Sequence, residues 1–342
     1  PSGKLSSIIE RSISNRYDWY ACGDKLDMSM FENNPFKDVC WSREYAEIIG
    51  FVKKYQLKVA IVVLDPQMAI TLTQIGVKVI YIDSLPFMWS ELDVIPTNVA
   101  CYCAQKYPGY KKNQVLSTIE NFTWINPITT NIYRERDSRK GDYVVMNFGG
   151  LHSPYGDGRE YFEIMMSAFL PLIKNKIYLT GGHQVVNLAK SMFPEIECRT
   201  YPHRQFLRLV YNANLFITSP GLTTLYETCS MNRETIIMPP QNLSQIYNII
   251  WAKSILQNIK TLNWNIRGLD IPADTGKIMS EEDRVKQIYI LIKGLAKNEE
   301  YMTFFRRYVA DTYYDKFPVL PQKNRKESDG AKEVLQILNE LE

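Results

Sequence analysis

Ile217-Thr-Ser-Pro-Gly-Leu-Thr-Thr-Leu-Tyr-Glu-Thr-Cys-Ser230 is followed shortly by Ile236-Ile-Met-Pro-Pro-Gln-Asn-Leu-Ser-Gln-Ile-Tyr-Asn248. The first segment opens on an apolar run from Leu215 to Thr218 that stops at Pro220-Gly221, which reads as a buried parallel strand ending in a turn. Leu222, Leu225, Tyr226 and Cys229 then recur at helical spacing, so a helix is predicted to start near Gly221. Its free N–H groups and the positive end of its dipole face the carboxyl edge of the sheet, a setting suited to phosphate. Thr223 and Thr224 stand in that first turn, and Glu227 lies less than two turns in. A carboxylate there can accept two hydrogen bonds from a ribose diol. The second segment reads as a strand and then a polar loop carrying Gln245 and Asn248 into another helix.

This pattern resembles the donor-nucleotide half of the GT-B glycosyltransferases, in particular their MurG-like branch. In that branch a Gly-x-x-Thr-x-x-Glu segment cradles the diphosphate and ribose of a UDP-sugar, and a later Gln/Asn loop reaches the sugar. Gly221, Thr224 and Glu227 match the first segment at the same spacing, and Gln245 and Asn248 match the second. The similarity runs from about residue 141 to 260. One departure is local: the family has Gly-x-Pro before the strand that precedes the Gln loop, where this chain has Met231-Asn-Arg-Glu234. The resemblance implies an α/β fold of two Rossmann-like doubly wound domains facing across a cleft.

Size agrees with that plan, since 342 residues are enough for two domains. Apolar residues make up 45%, enough for sizeable cores, and a net charge of +3 with dispersed lysines and arginines gives no nucleic-acid footprint. No apolar run approaches the ~18 residues of a membrane span. The opening residues carry no apolar signal core, so a cytoplasmic protein is expected. Cys22, Cys40, Cys101, Cys103, Cys198 and Cys229 are scattered, and Cys101-x-Cys103 has poor spacing for zinc, so reduced thiols and no metal are expected. The Lys-, Ile- and Asn-rich usage points to an AT-rich bacterial genome.

Strand and helix patterns alternate along both halves. Tyr17–Cys22, Lys58–Leu64 and Val77–Ile82 read as strands, while Ser42–Lys54 and Gln67–Ile75 read as helices. Val99–Ala104 and Ile119–Trp124 continue the pattern. The chain opens on a helix over residues 1–10 with no strand or Gly turn before it, so the domain's first strand and acceptor-side Gly loop are expected to be missing from this sequence. Asn126-Pro127 and the charged run Arg134–Gly141 have linker composition. Strands at Tyr143–Asn147 and Lys176–Thr180 and helices at Glu160–Leu170 and Arg204–Asn212 follow. The expected domains are therefore 1–135 on the acceptor side and 141–300 for the nucleotide-sugar, with 301–342 as closing helices bracing the two.

Further candidates sit at strand ends. Gly149-Gly150 follow a strand, where glycines let a backbone approach a ligand closely, and Gly181-Gly182 repeat the arrangement as either a contact or a plain turn. The resemblance puts donor phosphates at Gly149 and Gly150 and the nucleotide base near His203. Its bland alternative for His203 is a surface helix cap. Glu227 has a bland alternative too, an ion pair with Arg233, and Gln245 and Asn248 have one in helix capping. Inverting transfer needs a base to take the acceptor's proton. Asp83, ahead of the aromatic loop Ser84–Glu91, and Asp65 end neighbouring strands, although an Asp before a helix often caps it. His152 and Glu91 are further candidates. The Leu85–Trp89 patch reads as a cleft wall in preference to a peripheral membrane contact. No Asp-x-Asp metal motif appears, and the helix end at Gly221 can supply the counter-charge instead.

The sequence thus points to a metal-independent, inverting glycosyltransferase with no cofactor, moving a hexosyl or N-acetylhexosaminyl group from a UDP-sugar to a small-molecule or glycan acceptor. The alternatives are a nucleotide-sugar epimerase or hydrolase of the same fold, and a non-catalytic nucleotide-sugar binder.

Overall fold

The apolar runs predicted as buried strands pair side by side in parallel sheets, as their near-continuous hydrophobicity requires. The computed structural model describes the chain except for residues 1, 13–16, 24–27, 29–30, 32–33, 89–94, 108–109, 113–115, 131–140, 152–157, 232, 256–257, 267–268, 271–280, 319–328 and 342. The chain divides into unit 1, residues 1–130 with 325–342, and unit 2, residues 131–324. His152, Glu91 and most of the predicted linker at 134–141 lie outside the described residues.

Unit 1 contains α1 (Ser2–Arg11), β1 (Trp19–Cys22), β2 (Phe36–Cys40), α2 (Tyr45–Lys54), β3 (Val59–Val63), α3 (Pro66–Gln74), β4 (Lys78–Asp83), β5 (Cys101–Gln105), β6 (Phe122–Ile125) and, from the end of the chain, α11 (Gly330–Leu341). Strands β3 to β6 form a parallel sheet in sequential order, and β1 and β2 form a separate parallel pair. Strand alternation explains how the larger sheet is covered on both faces. Val79 and Tyr81 point toward Ile48 and Val52 of α2 and Met68, Ala69 and Leu72 of α3. Ile80 and Ile82 point the other way, with Ile8 of α1 and Ala331, Val334, Leu335 and Leu338 of α11. Tyr81, Tyr102 and Phe122 are register partners across three strands, and their rings touch in series. β3 reads as a fully buried strand but lies at the sheet's edge, so Val59, Ala60 and Ile61 remain half-buried.

Unit 2 contains β7 (Tyr143–Asn147), α4 (Arg159–Phe169), β8 (Lys176–Thr180), α5 (His183–Met192), β9 (Cys198–Arg199), α6 (His203–Asn212), β10 (Leu215–Thr218), α7 (Leu222–Met231), β11 (Thr235–Ile237), α8 (Leu243–Ile255), β12 (Ile259–Thr261), α9 (Glu281–Ala296) and α10 (Glu299–Tyr314). Its parallel sheet has the order β12-β11-β10-β7-β8-β9. From β7 the chain winds outward through β8 and β9, returns to the other side of β7 at β10, and winds outward again. The order therefore reverses between β7 and β10, which is the topological switch point where open α/β sheets bind ligands at their carboxyl edge.

The tail differs from the single closing segment expected at 301–342. Helix α10 belongs to unit 2, where it packs on α4, whereas α11 belongs to unit 1 and packs on α1. The Asn126-Pro127 stretch is likewise anchored in unit 1. The Asn126 N–H donates to Glu333 Oε2 at 2.7 Å, and the Gly330 N–H donates to the Pro127 carbonyl at 3.3 Å.

Candidate functional site

Three turns at the carboxyl edge of unit 2 are tied to one another. After β7, Gly149 takes a left-handed conformation with φ +65°, where a side chain would be strained. Its N–H donates to Asn147 Oδ1 at 3.1 Å, and its carbonyl accepts from the Gly182 N–H, after β8, at 2.8 Å. Gly181 has no room for a side chain, because a Cβ there would lie 2.7 Å from Val185 and 2.9 Å from the Gly149 carbonyl oxygen. Gly181 therefore acts through close packing of the two turns.

The third turn, Ser219-Pro220-Gly221, follows β10 across the switch point. The Ser219 N–H donates to the Asn147 carbonyl at 2.8 Å, and Asn147 Nδ2 donates to Thr218 Oγ1 at 3.2 Å. Asn147 thus touches the turns on both sides of the reversal. The sequence reading missed it, although a polar residue ending an otherwise apolar strand was the available signal. Gly221 leads directly into α7, and the Leu225 N–H closes the first helical turn on the Gly221 carbonyl at 3.0 Å. The first turn of α7, with Leu222, Thr223 and Thr224, thus starts at the switch point.

Glu227 is further from solvent than expected. Its side chain is about 1% exposed, and its Oε1 lies 2.7 Å from His203 Nε2. His203 is not a surface cap but a buried residue on the first turn of α6. The alternative partner, Arg233, stacks instead over the Tyr211 ring at 4.6 Å. Gln245 and Asn248 also hold local structure. Asn242 Oδ1 accepts from the Gln245 N–H at 3.0 Å, capping the start of α8, while Gln245 Oε1 accepts from the Gln241 N–H just before the cap at 2.9 Å. Asn248 Nδ2 donates to the Pro220 carbonyl at 2.8 Å, fixing the third turn from the helix side, and its buried Oδ1 has no hydrogen-bond partner among the described residues.

The carboxylates proposed as bases belong to unit 1. Asp83 is fully buried. Its Oδ2 accepts from the Tyr102 hydroxyl and its Oδ1 from the Leu85 N–H, both at 2.7 Å. Asp65 caps α3, accepting from the Met68 N–H at 2.9 Å, and also accepts from the Tyr45 hydroxyl at 3.2 Å. Asp65 thus carries the capping work that the sequence offered as its alternative, whereas Asp83 holds the turn at Leu85 and the Tyr102 hydroxyl. Five of the cysteines are free thiols, with Cys101 and Cys103 Sγ atoms 3.6 Å apart on one face of β5. Among the described residues no group of three His, Cys, Asp or Glu is placed to hold a metal ion, and no helix is long and apolar enough to cross a membrane.

Solved structures match this architecture along nearly its whole length. A UDP-GlcNAc 2-epimerase of Methanocaldococcus jannaschii, in complex with UDP-GlcNAc and UDP, matches 99% of this chain and 96% of its own, at 13% identity and a TM-score of 0.56. The fold is GT-B. The glycotransferase of kitacinnamycin matches this GT-B chain over 100% of its length and 97% of the other's, at 12% identity and a TM-score of 0.51. Spinosyn forosaminyltransferase SpnP matches over 99% and 95%, at 11% identity and a TM-score of 0.50. No protein-family model and no curated protein matches the sequence.

Proposed function

We propose that this GT-B chain is a glycosyltransferase. In this reading it takes a hexosyl or N-acetylhexosaminyl group from a nucleotide-diphosphate sugar, a UDP-sugar in the first instance, and passes it with inversion to a small-molecule or glycan acceptor. The observation that carries the reading is the set of three cross-tied turns beside the start of α7 at the switch point of unit 2. A diphosphate placed there meets main-chain N–H groups from Gly150 and the first turn of α7, with the Thr223 and Thr224 hydroxyls beside them and Gly149 giving it room to approach. The same helix end supplies positive charge where the leaving diphosphate develops negative charge, so the reaction needs no metal.

The buried His203–Glu227 pair refines the nucleoside side of the proposal. A ribose diol reaches Glu227 by replacing His203 as its hydrogen-bond partner, which frees the imidazole to contact the base. Gln245 and Asn248 shape the loop beneath the sugar. On the acceptor side, Asp83 serves as a base only where the Tyr102 hydroxyl releases its oxygen.

Calorimetry with UDP and UDP-GlcNAc tests the donor half of the reading, and the absence of binding to either would remove it. Product analysis tests the reaction. UDP formed only when an acceptor is present supports transfer, whereas UDP formed without one assigns the chain to nucleotide-sugar hydrolysis, and an isomeric nucleotide-sugar with no net UDP assigns it to epimerisation.

A further inference from the structure

The four cysteines of unit 1 lie in two pairs, and the pairs differ in reactivity. Successive residues of a strand point to opposite faces, so Cys101 and Cys103, two apart on β5, share a face. Their Sγ atoms lie 3.6 Å apart, close enough for one thiol to donate to the other. The face is the one that α11 covers, and both cysteines pack in the cluster with Ala331, Val334, Leu335 and Leu338. Cys101, at the start of the strand, is half-buried, whereas Cys103 is fully enclosed. A hydrogen bond from the Cys103 thiol holds the Cys101 thiol below its ordinary value, and the same contact together with burial pushes Cys103 well above it. The accessible member is therefore the better nucleophile, and the enclosed one keeps its proton. The other pair, Cys22 and Cys40, are register partners at the ends of β1 and β2. There burial, reinforced by Cys40, pushes the Cys22 thiol up to about 12, which leaves almost no thiolate to react.

We propose that Cys101 and Cys103 form a dithiol that hydroperoxides oxidise, a modification site of unit 1 whose closure loosens α11. In the first step the Cys101 sulfur attacks one peroxide oxygen. The O–O bond breaks, Cys101 becomes a sulfenic acid, and the alkoxide or hydroxide departs with the proton that the thiol gave up. In the second step the Cys103 sulfur attacks the Cys101 sulfur. The S–S bond forms, the S–O bond breaks, and hydroxide leaves as water with the Cys103 proton. The two sulfurs together lose two electrons and the peroxide gains them. Two strand rises of ~3.3 Å set the Cα atoms about 6.6 Å apart, near the upper end of what a disulfide spans, so the bridge must draw the strand together. Cys101 and Cys103 are register partners of Ile80 and Ile82 on β4, so that pull disturbs the apolar floor on which α11 rests. A bridge under such tension is readily opened again by thiols. The proposal rests on unit 1 alone and is independent of the nucleotide reading of unit 2.

Treatment of the whole chain with hydrogen peroxide, followed by alkylation under denaturing conditions and peptide mass spectrometry, tests the proposal. The expected product is a Cys101–Cys103 disulfide within one peptide, which escapes alkylation until dithiothreitol reduces it and which forms before any Cys22–Cys40 bridge. Cys101→Ser should remove that product. Cys103→Ala should leave Cys101 as a sulfenic acid that dimedone labels. Amide exchange over residues 330–341 should quicken by about tenfold on oxidation, and recover with dithiothreitol, in wild type and not in Cys101→Ser. The peptide map of the wild type decides the chemistry even where a variant fails to fold. Thiols left unmodified, a Cys22–Cys40 bridge that forms first, or Cys101 carried to the sulfinic acid without a bridge overturns the assignment. Exchange in α11 unchanged by the bridge overturns its coupling to that helix.

Discussion

The two carboxyl edges of this molecule are built from different materials. In unit 2 the edge is made of main chain: glycine turns tied to each other and to Asn147, with the start of α7 beside them. In unit 1 it is made of side chains: Asp83 on Tyr102, Asp65 on the start of α3, and Lys4 on Gln105. A main-chain edge presents N–H groups at fixed positions and suits a group common to many ligands, such as a diphosphate. A side-chain edge is particular to its own residues and suits whatever differs between substrates. The comparison teaches that one fold can keep a generic half and a specific half by assigning them to backbone and to side chains.

The comparison can be broken at its strongest point first. His203→Ala leaves the buried Glu227 carboxylate without its imidazole and should cost about 3–5 kcal/mol of stability in urea unfolding, the scale for breaking a buried pair. Glu227→Gln keeps an acceptor for the imidazole and should cost far less while weakening UDP binding. Equal stability for wild type and His203→Ala would show that the pair contributes little to unit 2.

Gly181→Val comes next. The added atoms collide with Val185 and the Gly149 carbonyl, so a loss of about 1–3 kcal/mol is expected from overpacking, together with weaker nucleotide binding as the first turn shifts. A stable variant with unchanged UDP affinity in calorimetry would mean that the turns are not rigidly coupled.

For unit 1, Asp83→Ala strands the Tyr102 hydroxyl and the Leu85 N–H and should cost about 1–3 kcal/mol. Asp83→Asn separates the two roles proposed for this residue. A structural Asp83 gives lowered stability with turnover close to wild type, whereas a general base gives turnover reduced about 10²–10⁴-fold with donor affinity unchanged. The smallest expected effect concerns metal. With the counter-charge supplied by the α7 terminus, excess chelator should leave turnover within about twofold, less than ~0.5 kcal/mol by the usual rate arithmetic. A loss restored by magnesium or manganese would move the electrostatic work from the helix to an ion.

How much of this was legible in the sequence follows the physics of each signal. Strands whose hydrophobic runs ended at Gly or Asp were readable, and so were the long amphipathic helices, because burial on both faces leaves a continuous pattern. The predicted strands at Tyr143–Asn147 and Lys176–Thr180 have the same limits in the structure. β2 was missed, because Lys37 and Asp38 interrupt its apolar character, and β9 is too short to carry a period. Helix α5 was passed over because its start, Gly181-Gly182-His183, was read as a ligand contact or a plain turn and not as the opening of a helix. At the site, spacing placed Gly221, Thr224 and Glu227 on one helix start, but spacing does not report burial. That Glu227 faces His203, and that Asp83 is enclosed by Tyr102, depend on residues 24 and 19 positions away in sequence. Such contacts are set by the order of strands in the sheet, which local pattern does not encode.

Helix α11 returns from the far end of the sequence to complete unit 1, placing Ala331, Val334, Leu335 and Leu338 against the sheet formed by β3 to β6. The consequence concerns the ribosome. The segment up to residue 130 emerges early with only α1 to cover that face of its sheet, and at ~5–20 residues per second the roughly 200 residues that separate it from α11 take about 10–40 s to make. Unit 2, continuous in sequence, is free to fold during that interval, while the face of the first sheet that carries Ile80, Ile82 and Cys103 waits with α1 alone against it. The order of birth of the two halves is therefore the reverse of the order in which they mature.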